Sequence, residues 1–117
     1  MAATTPSPFS LAGRVALVTG SSTGLGKATA LCLGRAGAKV AVNYASNEDR
    51  GAAAVAALRE AGVTAELFRA DVTSADEIDR MFTAIERSLG PVDIVVVNAT
   101  PAQPLKAIED YDWDFYQ

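Results

Sequence analysis

The chain has 117 residues, the length of one domain, and with 50% hydrophobic and 21% charged residues it has the composition of a folded soluble protein and not of a disordered one. Its net charge of -4 argues against nucleic-acid and anionic-membrane partners, and no run reaches the ~18 apolar residues of a membrane span. No histidine and a single cysteine, Cys32, argue against transition-metal sites and a disulfide framework. Met1 to Ser10 lack the basic start and apolar core of a secretory signal, so they read as a frayed leader before a domain over 11–117, and a cytoplasmic location is expected.

Arg14 to Thr19 is the first predicted strand, short, apolar and ended by Gly20. A helix is expected from about Gly24 to Ala36, with Leu25, Ala28, Thr29, Cys32 and Ala36 on its inner face and Gly37 as its cap. On this reading Cys32 is a small core filler. Lys39 to Asn43 is strand two. Ser46 reads as the N-cap of helix two, with Asp49 as its capping-box partner, and Val55, Leu58 and Ala61 mark the inner face before Gly62. Thr64 to Ala70 is strand three. Ser74 and Glu77 repeat the capping box, and Ile78, Met81, Phe82, Ile85 and Leu89 form an apolar stripe on helix three up to Gly90-Pro91. Val92 to Asn98 is strand four, followed by a loop, Thr100 to Pro104, and an acidic helix start near Asp110.

The order β-α-β-α-β-α-β-(α), with unbroken apolar strands, predicts an α/β fold: a doubly wound parallel sheet of the Rossmann kind, about four strands in the order 3-2-1-4. A crevice then opens between strands one and four, where the order reverses. The stretch Thr19 to Gly26 lies at that crevice. Gly20 suits a tight turn, Gly24 a close approach to a phosphate, and Gly26 close helix packing. The helix N-terminus behind them favours an anion. A P-loop does not fit, because Ala28 follows Gly26-Lys27 where magnesium binding needs a hydroxyl.

Thr19-Gly20-x-x-x-Gly24-x-Gly26 resembles the cofactor fingerprint of the short-chain dehydrogenase/reductase family. Asp71-Val72-Thr73 resembles its adenine-contacting acidic position, Val97-Asn98-Ala99-Thr100 its Asn-Asn-Ala-Gly stretch, and Trp113-Asp114 its Trp-Asp pair in helix four. Within the family the wording is nearest to 3-oxoacyl-carrier-protein reductase-like members. The resemblance implies a dinucleotide site built from Gly20, Ser22, Thr23, Gly24, Leu25, Gly26, Asn43, Tyr44, Asp71, Val72, Asn98 and Ala99. It also implies hydride transfer between a nicotinamide and a small carbonyl or alcohol substrate, and a homo-oligomer for the intact enzyme.

Three departures shape the expectation. Val97 and Thr100 replace an asparagine and a glycine of the family pattern, and Pro101 follows. Strand two ends in Asn43-Tyr44-Ala45-Ser46-Asn47, with no acid before Glu48, which favours NADP(H) over NAD(H) although Thr23 and Ala45 stand where the family often has arginine. Finally, the family's catalytic serine and Tyr-x-x-x-Lys have no counterpart. Tyr44 is followed four residues on by Glu48 and Tyr111 by Phe115. The chain therefore reads as the N-terminal half of such an enzyme, inactive alone, with an uncovered strand-four edge prone to self-association. The alternative reading is a non-catalytic nucleotide-binding or interaction module.

Overall fold

The computed structural model describes residues 9–22 and 24–98. The leader before Phe9, Thr23, Ala99, the Thr100–Pro104 loop and the helix expected near Asp110 lie outside the described residues. Seven elements alternate along the chain: β1 (Val15–Val18), α1 (Gly24–Arg35), β2 (Lys39–Tyr44), α2 (Glu48–Glu60), β3 (Ala65–Arg69), α3 (Ala75–Ser88) and β4 (Ile94–Val96). The strands form one parallel sheet in the predicted order, β3-β2-β1-β4. Parallel neighbours need helix-length crossovers, and right-handed crossovers fix which face each helix covers. Thus α1 and α2 pack on one face, over Val18, Val40 and Val42. The connection from β3 back across the sheet to β4 puts α3 on the other, over Val15, Leu17 and Ala41.

The centre of the sheet is dry. Every residue of β1 is buried, as are all those of β2 after Lys39. Leu17, Leu58 and Ile85 are the largest fully buried aliphatic side chains, and each contributes about 1.5–3 kcal/mol by leaving water. The α3 stripe is as predicted, with Met81, Ile85 and Leu89 in the core and Phe82 packed against it. Ser74 caps α3, its Oγ accepting from the Glu77 N–H.

Helix α1 departs from the expected face. It buries Gly26 and Ala30, whereas Leu25 is 75% exposed and Ala28 and Cys32 are exposed. Cys32 is therefore not core filler. The reason is distance: the helix sits so close to its neighbours that only small residues fit beneath it. A methyl carbon at Gly34 would run into the Val63 side chain. The cap of α2 is also corrected. Asn47, not Ser46, takes the extended cap conformation, and its Oδ1 accepts from the Arg50 N–H at 3.0 Å. Ala61, expected on the inner face, is exposed at the helix end.

Strand β4 is shorter than the predicted Val92 to Asn98, and it lies at one edge of the described sheet. Its entry is fixed by Asp93, whose N–H donates to the Val15 carbonyl and whose Oδ2 accepts from the Val15 N–H at 2.9 Å. Arg14 stands 3.6 Å from the same carboxylate. Val95 and Val97 are 48% and 80% exposed. Among the described residues no helix is long and apolar enough to cross a membrane.

Candidate functional site

Where β1 ends, the chain turns sharply into α1. Gly20 and Gly24 both take φ of +60°, a left-handed backbone that side chains with a Cβ rarely adopt. The turn is gripped from both neighbouring strands. From the β2 side, Asn43 Oδ1 accepts from the Gly20 N–H at 3.1 Å. From the β4 side, Asn98 Nδ2 donates to the Gly20 carbonyl at 3.2 Å. The Asn98 N–H in turn donates to Thr19 Oγ1 at 2.8 Å, and the Thr19 N–H donates to the Val96 carbonyl at 3.0 Å. These bonds close the crevice floor between β1 and β4.

Gly26 makes the closure possible. A methyl carbon there would overlap the Gly20 carbonyl oxygen and lie 2.6 Å from Asn98 Nδ2. Gly24, by contrast, has nothing within 4 Å of where a Cβ would be, so the main chain at the mouth of the turn is open to an approaching group.

Electrostatics mark the same place. The first turn of a helix leaves N–H groups without partners inside the helix and carries a partial positive charge. Helices α2 and α3 offset it with Glu48 and Asp49, and with Asp76 and Glu77. Helix α1 has no acid in its first turn. Its N-terminus is aimed at the crevice, where an anion would take the place of the missing carboxylates.

The second predicted cluster lies just past β3. Asp71 Oδ1 accepts from both the Thr73 hydroxyl, at 2.6 Å, and the Thr73 N–H, at 2.9 Å. The Thr73 hydroxyl and then its N–H hold the Asp71 carboxyl below its ordinary pKa; desolvation opposes them, and the nearby Arg69 charge adds the smallest effect, in the lowering sense. Neither bond uses Oδ2. Asp71 is exposed and Val72 half-buried, and the Asp71 N–H donates to Glu77 Oε1 at 3.2 Å. Glu77 therefore closes onto Asp71, while the Ser74 N–H that a capping box would offer it donates to the Asp71 carbonyl.

The remaining predicted residues divide by exposure. Gly20 and Ser22 are half-buried, and Gly24 and Leu25 are exposed at the crevice mouth. Asn43 and Tyr44 end β2 with their side chains turned inward. Asn43 is 2% exposed, and the Tyr44 ring packs against α2 at Gly51. Thr23 and Ala99 lie outside the described residues. Ser21 is a residue that sequence reasoning passed over. It is fully buried, its Oγ accepts from the Asn43 N–H at 3.0 Å, and its N–H donates to the Asn43 carbonyl at 3.2 Å. One signal was present: Asn43 is an amide within an otherwise apolar strand, and a buried amide requires partners.

Comparison with known proteins agrees with this geometry. The sequence model of the short chain dehydrogenase family matches residues 14–116. The short chain dehydrogenase mdpC of Emericella nidulans is 44% identical over 99 residues, which is 85% of this chain and 37% of that protein. A crystal structure of a dehydrogenase/reductase from Sinorhizobium meliloti superposes with a TM-score of 0.81 at 34% identity, covering 92% of this chain and 42% of that one. A variant of actinorhodin polyketide ketoreductase, solved with NADPH, superposes with a TM-score of 0.76 at 36% identity, covering 88% of this chain and 39% of the other. The chain thus spans about two fifths of each of these proteins.

Proposed function

The chain belongs to the short chain dehydrogenase family, and on that premise we propose that it holds the dinucleotide of an NAD(P)-dependent oxidoreductase. The observation that carries this reading is the Gly20–Gly26 turn: a helix N-terminus with no acid in its first turn, beginning at an open Gly24, at the point where the strand order reverses. Gly20, Ser22, Thr23, Gly24, Leu25 and Gly26 surround the pyrophosphate. Asp71, ionised at neutral pH, accepts from the adenine amino group with Val72 beside it. Asn98 and Ala99 border the nicotinamide ribose, and the end of β2 at Tyr44 the adenosine ribose. The nicotinamide supplies or accepts the hydride exchanged with a carbonyl or secondary alcohol, and the protein's part in these 117 residues is to bind and orient it.

NADP(H) is the preferred form. No carboxylate stands between Asn43 and Asn47 to repel a ribose phosphate, and the ketoreductase solved with NADPH is among the superposing structures. Fluorescence titration with NADPH and NADH tests this. NADPH is expected to bind more tightly, and the reverse order would sink the preference. No Tyr-x-x-x-Lys occurs in the 117 residues, so these residues are expected to bind the cofactor without oxidising it when ketones are added. Turnover by this chain would overturn that part of the reading. The family reading also carries a homo-oligomer of the intact enzyme, checked by light scattering.

A further inference from the structure

Asn43 stands at the carboxyl end of β2 with its side chain directed to the α3 face, where its neighbour Ala41 is ordinary apolar core. It is 2% exposed, so its amide has left water and must find partners inside the protein. It finds them on both flanking strand ends. Oδ1 accepts from the Gly20 N–H at 3.1 Å, beyond β1, and Nδ2 donates to the Ala70 carbonyl at 3.1 Å, beyond β3. The Asn43 main chain adds two bonds to Ser21, one to its hydroxyl and one from its N–H. A single residue thereby ties the first half of the glycine turn to the two strands beside it. The turn needs such a tie, because Gly20 at φ +60° has no side chain to restrict it and glycine samples many conformations at similar cost.

We propose that Asn43 is a positioning residue for the cofactor: it never touches the dinucleotide, but holds Gly20 and Ser21 so that the N–H groups that follow face the pyrophosphate. The inference rests on the reading of the Gly20–Gly26 turn as a dinucleotide site. It changes the role expected of Asn43, from contact at the ribose to control of the turn behind it.

The test uses the full chain and two measurements, amide hydrogen exchange and NADPH titration, on the unaltered protein and on Asn43→Leu. The substitution keeps the bulk and leaves the Gly20 N–H without its acceptor. Gly20 exchange is expected to rise about tenfold, the effect of one lost buried hydrogen bond, while the Val40 amide, which donates to Thr64 across the sheet, keeps its protection. NADPH affinity is expected to fall about tenfold with it. A merely structural role would lower the protection of Val40 and Gly20 alike. Faster Gly20 exchange with unchanged NADPH affinity, or unchanged Gly20 exchange, overturns the proposal. Should Asn43→Leu fail to fold, Ser21→Ala removes only the hydroxyl that accepts from Asn43. It is then expected to loosen Gly20 and weaken NADPH in the same sense, and unchanged affinity in that variant overturns the proposal. If the unaltered chain binds neither NADPH nor NADH, the functional reading itself fails and the cofactor role of Asn43 falls with it. Binding by the unaltered chain matched by Asn43→Leu removes the positioning role alone.

Discussion

The turns after β1 and β3 leave the same end of the sheet, yet they are held in opposite ways. The first is held from outside. Its Gly20 N–H and carbonyl are bonded by asparagine side chains at the end of β2 and just past β4, and Gly26 supplies the room. Past Ala70, whose carbonyl accepts from Asn43 on β2, the second is held from within. Asp71 closes onto Thr73 two residues away, and Ser74 caps the helix that follows. The first turn takes its restraints from behind, one from buried Asn43 and one from half-buried Asn98. The second offers a side chain to solvent because its restraints are its own. A disturbance at the first should therefore spread to the sheet, and one at the second should stay local.

Gly26→Ala is the strongest way to break that contrast. Its methyl group has no space against the Gly20 carbonyl and Asn98, and overpacking of this kind costs about 1–3 kcal/mol. Thermal unfolding should register that loss, and NADPH titration a loss of affinity beyond tenfold. If both stay unchanged, the turn is not held as described. Ser74→Ala comes next. It removes the α3 cap and should cost about 1 kcal/mol in unfolding experiments, with NADPH affinity barely altered. An affinity loss as large as that of Gly26→Ala would show that the two turns are one unit.

A smaller effect is expected of Thr73→Val, read by an NMR titration of Asp71. Loss of the hydroxyl donor should raise the Asp71 pKa toward the ordinary carboxylate value. The sign for stability follows. The folded value lies below the unfolded one, so this carboxylate's contribution is complete above the unfolded pKa and fades as pH falls through the folded one. In Thr73→Val that acid-side loss should shrink, and an unmoved Asp71 titration would remove Thr73 as its cause. Cys32→Ser gives the baseline for both turns. An exposed site away from either should change stability by no more than about 0.5 kcal/mol, and the native thiol should react readily with a thiol reagent. A large loss on Cys32→Ser would return that residue to the core.

What the sequence made legible follows the same division. Strands, helices and their order rest on apolar runs, glycine stops and caps, all signals within a few residues, and so Ser74, Gly37 and the α3 stripe could be read directly. The α1 face could not. Ranking residues by hydrophobic size points to Leu25, whereas close packing selects Gly26, Ala30 and Gly34, which are spaced four apart and easily mistaken for filler. The Asn47 cap was missed by one residue because Ser46 and Asn47 are both good cap formers. At the candidate site, Gly20, Gly24 and Gly26 stand out by spacing, and Asp71 only through the resemblance to the family. The bonds of Asn43 and Ser21 join elements distant in sequence, and no local pattern encodes a partner on another strand.

The two asparagine bonds to Gly20 also set a sequence of events in folding. Asn43 lies 23 residues from Gly20 and Asn98 lies 78. In an open chain the longer loop costs about 1 kcal/mol more to close. The β2 half of the turn can thus form early, with β1 and β2 and the helix between them. The β4 half must wait for a distant segment to dock along β1. That segment is also the last of the described elements to be synthesised, so the Gly20 carbonyl is the later of the two groups to meet its partner.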